Sequence, residues 1–313
     1  MRREDLSADD CGIAQTLGVV GDWWSWLVVR EIAGGTTRFD GVQRSLGISR
    51  RALTERLDSL VSDGVLERRP YSERPVRHDY VLTRRGEGLL PVLVAMQEYG
   101  DRYLLGDGTL TATAAPDSAE AARAHALLGR ELPPIELPAY DGRSVALRPA
   151  VCWRVLYLFP GAFAPDAQGY PPGWGDLPGA AGCTLESTTY ARRHGQFRAA
   201  GAEVVGVSTQ RPDQQAAFAA HAGLPFDLLS DQDLHLAAAL RLPTFRASGV
   251  DRFKRQSLLV DPGGVIRHIQ MPVTDPAGSV EEMLEVVRSR RGRPPATGPA
   301  AGDRAVTPRI RPA

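Results

Sequence analysis

Across the first third of the chain, apolar positions recur at helical spacing. Residues 17–33 read as one helix, with Trp24, Leu27, Val28 and Ile32 on a common face, closed by Gly34-Gly35. A short helix follows over 40–46. Ser49 then caps a helix reaching residue 63, in which Leu53, Leu57 and Leu60 form the buried stripe while Arg51, Glu55 and Asp58 face away. Two β runs, 65–69 and 78–82, flank a Pro- and Arg-bearing loop at 70–77, and a long helix over 85–104 closes the region.

Beyond residue 131 the pattern changes to short β runs alternating with helices. Strands are predicted at 151–159, 203–208, 256–261 and 265–270, and helices at 184–200, 212–222, 234–240 and 280–290. This order predicts an α/β domain of thioredoxin-like plan over 131–290. The Gly/Thr/Ala/Pro-rich stretch 106–130, ending in an Ala-rich helical run over 118–128, reads as a linker, and the Pro/Gly/Arg-rich stretch 291–313 as a disordered tail. The expectation is two domains: a mainly α unit at 1–105 and an α/β unit at 131–290.

Composition narrows the function classes. The 313 residues carry 37 basic and 37 acidic side chains, so no global charge draws the chain to nucleic acid or to membranes. No apolar run approaches the roughly 18–20 residues of a membrane span. The N-terminus turns acidic by residue 10 without an apolar secretory core, which predicts a cytoplasmic protein. Cys11, Cys152 and Cys183 form no C-x-x-C pair, and no local Cys/His group has zinc spacing, so neither metal nor cofactor is expected. All basic residues except Lys254 are arginine, a bias that lowers the information in any single Arg.

Local charge tells more. Between Arg44 and Arg85 there are ten Arg against six Asp or Glu. Helix, short turn, capped helix and β-hairpin is the winged helix-turn-helix order. Its capped helix offers unpaired N–H groups to phosphates, and arginines there reach base edges or backbone. Ser49, Arg50, Arg51 and Thr54 on that helix, with Arg74 and Arg77 on the hairpin, are the candidate DNA contacts. The ordered set Cys11-x-Ile13-Ala14, Gly21-Asp22-Trp23-Trp24, Arg38-Phe39, Gly47-Ile48-Ser49, Leu53-Thr54-Glu55-Arg56-Leu57, Asp63-Gly64, Arg74-Pro75, Tyr80-x-Leu82-Thr83 and Gly86 resembles the HxlR-type regulators over residues 11–105. The resemblance implies a homodimer on double-stranded DNA, paired through its terminal helices. It also makes Cys11 a candidate redox sensor, as against a half-buried cysteine at a helix start.

In the second domain, Gly182-Cys183-Thr184 places a cysteine at the first turn of a helix, where N–H groups and the helix dipole are expected to favour thiolate. Arg255 is the nearest expected cation. With Leu156-Tyr157-Leu158-Phe159-Pro160, Gly201 to Ser208, Leu224 to Asp231 and Asp261 to His268, this text resembles peroxiredoxins of the alkyl-hydroperoxide-reductase and thiol-specific-antioxidant group, especially the Q-type branch. The resemblance implies a peroxiredoxin fold with Cys183 as the peroxide-reactive cysteine and Arg255 as its partner. Three features depart from the family. Ala180 replaces its Thr, Thr188 replaces the resolving cysteine, and the loop before Cys183 is long. Cys152, inside an apolar run, reads as a core residue. Two functions stay open: a peroxide-responsive DNA-binding regulator, and a one-cysteine thiol peroxidase, using an external thiol, whose winged helix acts independently.

Overall fold

The computed structural model describes residues 10–165 and 169–290; the expected tail at 291–313 lies outside them. The single helix expected over 17–33 is two, α1 (Gly12–Val20) and α2 (Trp23–Ala33). The break falls at Gly21-Asp22. A side chain at Gly21 would strike the Leu17 carbonyl oxygen at 2.2 Å, and the Asp22 carboxylate accepts the Ser25 N–H at 3.0 Å, capping the second helix. Helices α3 (Phe39–Leu46) and α4 (Arg50–Ser62) follow. They are joined by Gly47, whose φ of +64° suits a residue without Cβ, and by Ser49, whose hydroxyl caps α4 through the Ala52 N–H at 3.2 Å. Leu53, Leu57 and Leu60 are buried as the periodicity requires, packed with Val28, Val29 and Ile32 of α2.

The hairpin is longer than its sequence pattern. Strands β1 (Leu66–Glu73) and β2 (Val76–Leu82) run through the stretch expected to be loop and turn at Arg74-Pro75. Solvated strands show no burial alternation, so the pattern missed them; β1 is exposed or half-exposed beyond Leu66. The terminal helix is also segmented, into α5 (Arg84–Glu87), α6 (Leu90–Tyr99) and a π-helical turn over Gly100–Leu104. Pro91 near the start of α6 favours the restart there.

Residues 106–130 are not a free spacer. The helical run expected over 118–128 is α7 (Ala119–His125), and Ala112, Ala114, Ala121 and Ala124 are buried. Alanine and threonine carry little periodic signal, so small-residue packing resembles linker in a sequence. A small hairpin of β3 (Glu136–Pro138) and β4 (Ser144–Ala146) comes next.

The second region is a mixed five-stranded sheet. Its strands are β5 (Trp153–Leu158), β6 (Ala202–Ser208), β7 (Leu228–Ser230), β10 (Gln256–Val260) and β11 (Ile266–Gln270), ordered β11-β10-β5-β6-β7. β5, β6 and β7 are parallel, and β10 pairs antiparallel with both β5 and β11. Along β5, Val155 and Tyr157 point to one face, where α8 (Cys183–Ala199), α9 (Pro212–Ala222) and α11 (Gly278–Arg290) pack. Leu156 and Leu158 point to the other, against α7 and α10 (His235–Leu240). A second hairpin, β8 (Thr244–Ala247) and β9 (Val250–Phe253), precedes β10; its turn and that of β3–β4 carried too little pattern to be predicted. Leu90 and Val94 of α6 share the core of this second face, so the two regions are packed together.

Candidate functional site

Gly182, with φ +99°, precedes the first residue of α8, and that residue is Cys183. A Cβ at Gly182 would lie 2.6 Å from Pro276 Cγ, so only glycine lets this turn pass so close. Arg255 arrives from the start of β10. Its Nη2 donates to Cys183 Sγ at 3.2 Å and to the Ala181 carbonyl at 3.0 Å, while its Nη1 bonds Glu186 Oε2 one turn along α8. The sequence pair Cys183 and Arg255 is therefore brought together. Glu186 was missed, although its i+3 spacing from Cys183 was readable.

Burial reverses the expected thiol chemistry. Cys183 is 2% exposed. Loss of water pushes its pKa above the ordinary thiol value; the Glu186 charge adds to this, while Arg255 and the Gly161 N–H oppose it. The helix start is present, yet desolvation outweighs it. The Cys183 Sγ donates to the Ala180 carbonyl at 3.5 Å. Ala180 is itself fully buried against Ala112, Trp174 and Phe245, with no hydroxyl to orient a peroxide.

An aromatic layer stands next to this centre, built around Arg252, which lies within electrostatic reach of the Cys183 sulfur. The Arg252 guanidinium lies 5.0 Å from the Trp174 ring centre and 5.7 Å from that of Phe163, and its Nη1 donates to the Pro160 carbonyl at 3.2 Å. Gln210 holds the start of the loop after β5, accepting the Ala162 N–H and donating to the Ala162 carbonyl, both at 2.8 Å. A cleft of about 540 Å³ beside this layer is lined by Phe163, Tyr170, Thr209, Gln210 and Arg252. In a chain this rich in arginine, nothing in the sequence singled out Arg252.

Two buried acids set the pH response. Burial, only partly offset by Arg255, raises Glu186 to about 7; burial, opposed by hydrogen bonds from the Leu236 and Ala237 N–H groups, raises Asp231 to about 7. Glu186 Oε1 has no hydrogen-bond partner among the described residues. A carboxyl whose folded pKa lies above its unfolded value favours folding below that unfolded value and loses the contribution as pH rises through about 7. The thermal midpoint is expected to fall between pH 5 and pH 8, and the fall to flatten in Glu186→Gln and Asp231→Asn. A wild-type midpoint that rises over this interval would contradict the assignment.

The other two cysteines differ from expectation and from each other. Cys152 lies just before β5, half-buried, not within the apolar strand; burial and Glu203 raise its pKa. Cys11 is exposed at the N-cap position of α1, where the Ala14 and Ile13 N–H groups lower its pKa. The thiolate-favouring helix start thus belongs to Cys11.

The winged-helix residues form a second site. Arg51 is 91% exposed and pairs with Glu55 at 2.9 Å; Arg50 lies over the Phe39 ring at 4.8 Å and 3.6 Å from Asp40. The Thr54 hydroxyl is spent on the Arg50 carbonyl at 3.0 Å. Arg74 sits in the hairpin turn and Arg77 on β2, both exposed. Between α4 and the hairpin lies a polar cleft of about 610 Å³, whose lining includes Arg38, Arg44, Arg50, Arg77 and Asp40. Arg38 and Arg44 were not among the predicted contacts. Arg38 is the N-cap residue of the short helix before the turn and Arg44 lies on it, and only the fold brings them to the cleft.

These features define a helix-turn-helix regulator region joined to a peroxiredoxin-like domain. Residues 19–107 match the HxlR-like helix-turn-helix family and residues 178–269 the AhpC/TSA family. An HTH-type transcriptional regulator of Mycobacterium tuberculosis is 41% identical over 92 residues, covering 29% of this chain and 58% of that protein. The chain thus spans little more than half the length of that mycobacterial relative. YdeP of Bacillus subtilis, also an HTH-type regulator, is 33% identical over 103 residues, covering 32% of this chain and 80% of YdeP. Peroxiredoxin Bcp of Escherichia coli is 30% identical over 141 residues, covering 44% of this chain and 80% of Bcp. Among solved structures, peroxidoxin BcpB from Mycobacterium tuberculosis aligns at 23% identity and TM-score 0.45, covering 52% of this chain and 97% of that one. The chain belongs to the HxlR-like helix-turn-helix family through its first region and to the AhpC/TSA family through its second. No helix among the described residues is long and apolar enough to cross a membrane.

Proposed function

We propose that the chain is a dimeric transcriptional regulator whose grip on operator DNA responds to peroxide through Cys183. One observation carries this reading. Arg255, which holds Cys183 Sγ, donates its backbone N–H to the Ala112 carbonyl at 3.2 Å; Ala112 in turn donates to the Pro178 carbonyl at 2.8 Å, and Thr111 Oγ1 to the same carbonyl at 3.2 Å. The segment leaving the regulator region is thereby clamped between the arginine and the loop that leads into Cys183.

The chemistry that would act on this clamp is simple. The Cys183 thiol first gives up its proton; the thiolate then attacks one peroxide oxygen, the S–O bond forms and the O–O bond breaks. The second oxygen leaves with its electron pair and takes up a proton, giving water or an alcohol. A sulfenic oxygen on a sulfur so deeply buried has no space, because protein interiors are close-packed. The loop 178–183 must give way, and residues 111–113 with it. The homodimer would form through the exposed apolar side chains Ile13, Leu17, Tyr99, Tyr103 and Leu104 at the two ends of the regulator region.

On DNA, Ser49, Arg50, Arg51 and Thr54 would face the major groove and Arg74 and Arg77 the backbone or adjacent minor groove. Arg51→Ala is expected to cost about 1–3 kcal/mol and relax preference at one base pair, whereas Arg77→Ala should weaken all sequences and reduce the salt slope by about one. Equal affinities for wild type and both variants would refute this placement.

The Cys183–Arg255 contact also favours a second reading, a thiol peroxidase spending an external thiol. Peroxide consumption by the full chain with dithiothreitol decides between them, alongside mass spectrometry of the three cysteines after graded peroxide. Consumption that halts after about one equivalent, with oxygen first on Cys183, supports the regulator. Sustained turnover lost in Cys183→Ser supports the peroxidase. Oxidation confined to Cys11 would remove Cys183 from both.

A further inference from the structure

Where the two regions meet, a cavity of about 280 Å³ opens between α2, α6, α7 and α10. Arg30, Arg123 and Arg241 line it, over an apolar floor of Leu93 and Ala238 with Met96 at the rim. The wall is fixed from both sides: Gln97 Nε2 donates to the Leu242 carbonyl at 2.9 Å, and Arg123 Nε donates to the Arg241 carbonyl at 2.9 Å.

The three cations are unequally satisfied. Arg30 bonds Glu31 Oε1 through Nε at 2.9 Å and Nη2 at 2.6 Å. Arg123 grips Asp101 through two bonds at 2.8 and 2.5 Å. Arg241 is half-buried and, among the described residues, its guanidinium makes no ion pair. Burial and then the neighbouring Arg30 charge pull its pKa down; Glu31 opposes this, and Arg130 and Arg123 add to it. A half-buried guanidinium facing like charges across a cavity is a place where one added anion relieves repulsion.

We infer that this junction cavity binds a small amphipathic carboxylate, its carboxylate bridged by Arg241 and its apolar body laid on Leu93 and Met96. Guanidinium geometry suits a carboxylate bidentately, and the volume lies at the small end of ligand pockets, which limits the body to a short chain or a single ring. An inorganic anion would leave the apolar floor uncovered. The occupant would touch the regulator region through Arg30 and α6, and the peroxiredoxin-like domain through α7 and α10.

Calorimetric titration of the full chain with octanoate tests this without DNA or peroxide, so its outcome is independent of the redox reading. Octan-1-ol and inorganic phosphate serve as controls. Saturable 1:1 octanoate binding is expected, with neither control matching it. Arg241→Gln should weaken it at least about tenfold. Met96→Glu, at an exposed rim position, should weaken it similarly by repelling the ligand, with the ligand-free thermal midpoint unchanged. No saturable octanoate binding, equal binding by either control, or undiminished binding in a folded Arg241→Gln variant would overturn the site.

Discussion

Arg255→Met is expected to lower stability by about 3–5 kcal/mol at pH 8, among the largest losses a single substitution can cause here. The arginine and Glu186 are both essentially inaccessible, with side-chain exposures of 1% and 0%. Removing the cation leaves a buried carboxyl that must either stay charged without a partner or take up a proton, and takes away the donor to Cys183 Sγ. Because Glu186 already titrates near pH 7 with its partner in place, the variant should retain much more of its stability at pH 5, where the carboxyl is neutral. The double variant Arg255→Met/Glu186→Gln should recover most of the loss at pH 8. Denaturant midpoints of the three proteins at both pH values measure this. Equal losses in the single and double variants would mean that the buried ion pair is not the cause.

Gly179→Ala is expected to abolish communication while sparing the thiol. Gly179 has φ +81°, and an added Cβ would lie 2.8 Å from Thr113 Cβ and 3.0 Å from the Thr113 backbone nitrogen. The left-handed conformation itself costs a non-glycine residue about 1–2 kcal/mol. The two loop segments of the clamp, 111–113 and 178–180, must then separate. The reduced variant should bind operator as oxidised wild type does, within about twofold, and ignore peroxide, although Cys183 remains oxidisable by mass spectrometry. A variant with the wild-type response would show that the signal does not pass through this apposition.

What the sequence made legible depended on whether a feature was written in local pattern. The Leu53, Leu57, Leu60 stripe and the Ser49 cap placed α4 within a residue, because both are local rules. The strands β5, β6, β10 and β11 announced themselves as apolar runs. The outer parts of β1 and β2 did not, since a wing exposed on both faces shows no burial period. The pairing of Cys183 with Arg255 was reachable through a family resemblance, yet the direction of the thiol's pKa was not. That direction depends on the core of Tyr157, Phe159, Ala162 and Tyr190 in which the cysteine is packed, long-range packing that no spacing encodes. Likewise the alanines of 106–130 looked like linker because their role is to be small where two regions press together. Arg30, Arg123 and Arg241 lie 93 and 118 positions apart in sequence and converge only in the fold.

Operator affinity measured in both oxidation states reports on the coupling itself. Duplexes selected from a random pool by the reduced protein would be titrated with wild type and Cys183→Ser, before and after one equivalent of hydrogen peroxide. The account predicts a shift in wild-type dissociation constant of about 5- to 150-fold and none in Cys183→Ser. Superimposable wild-type curves, or an equal shift in the variant, would contradict it.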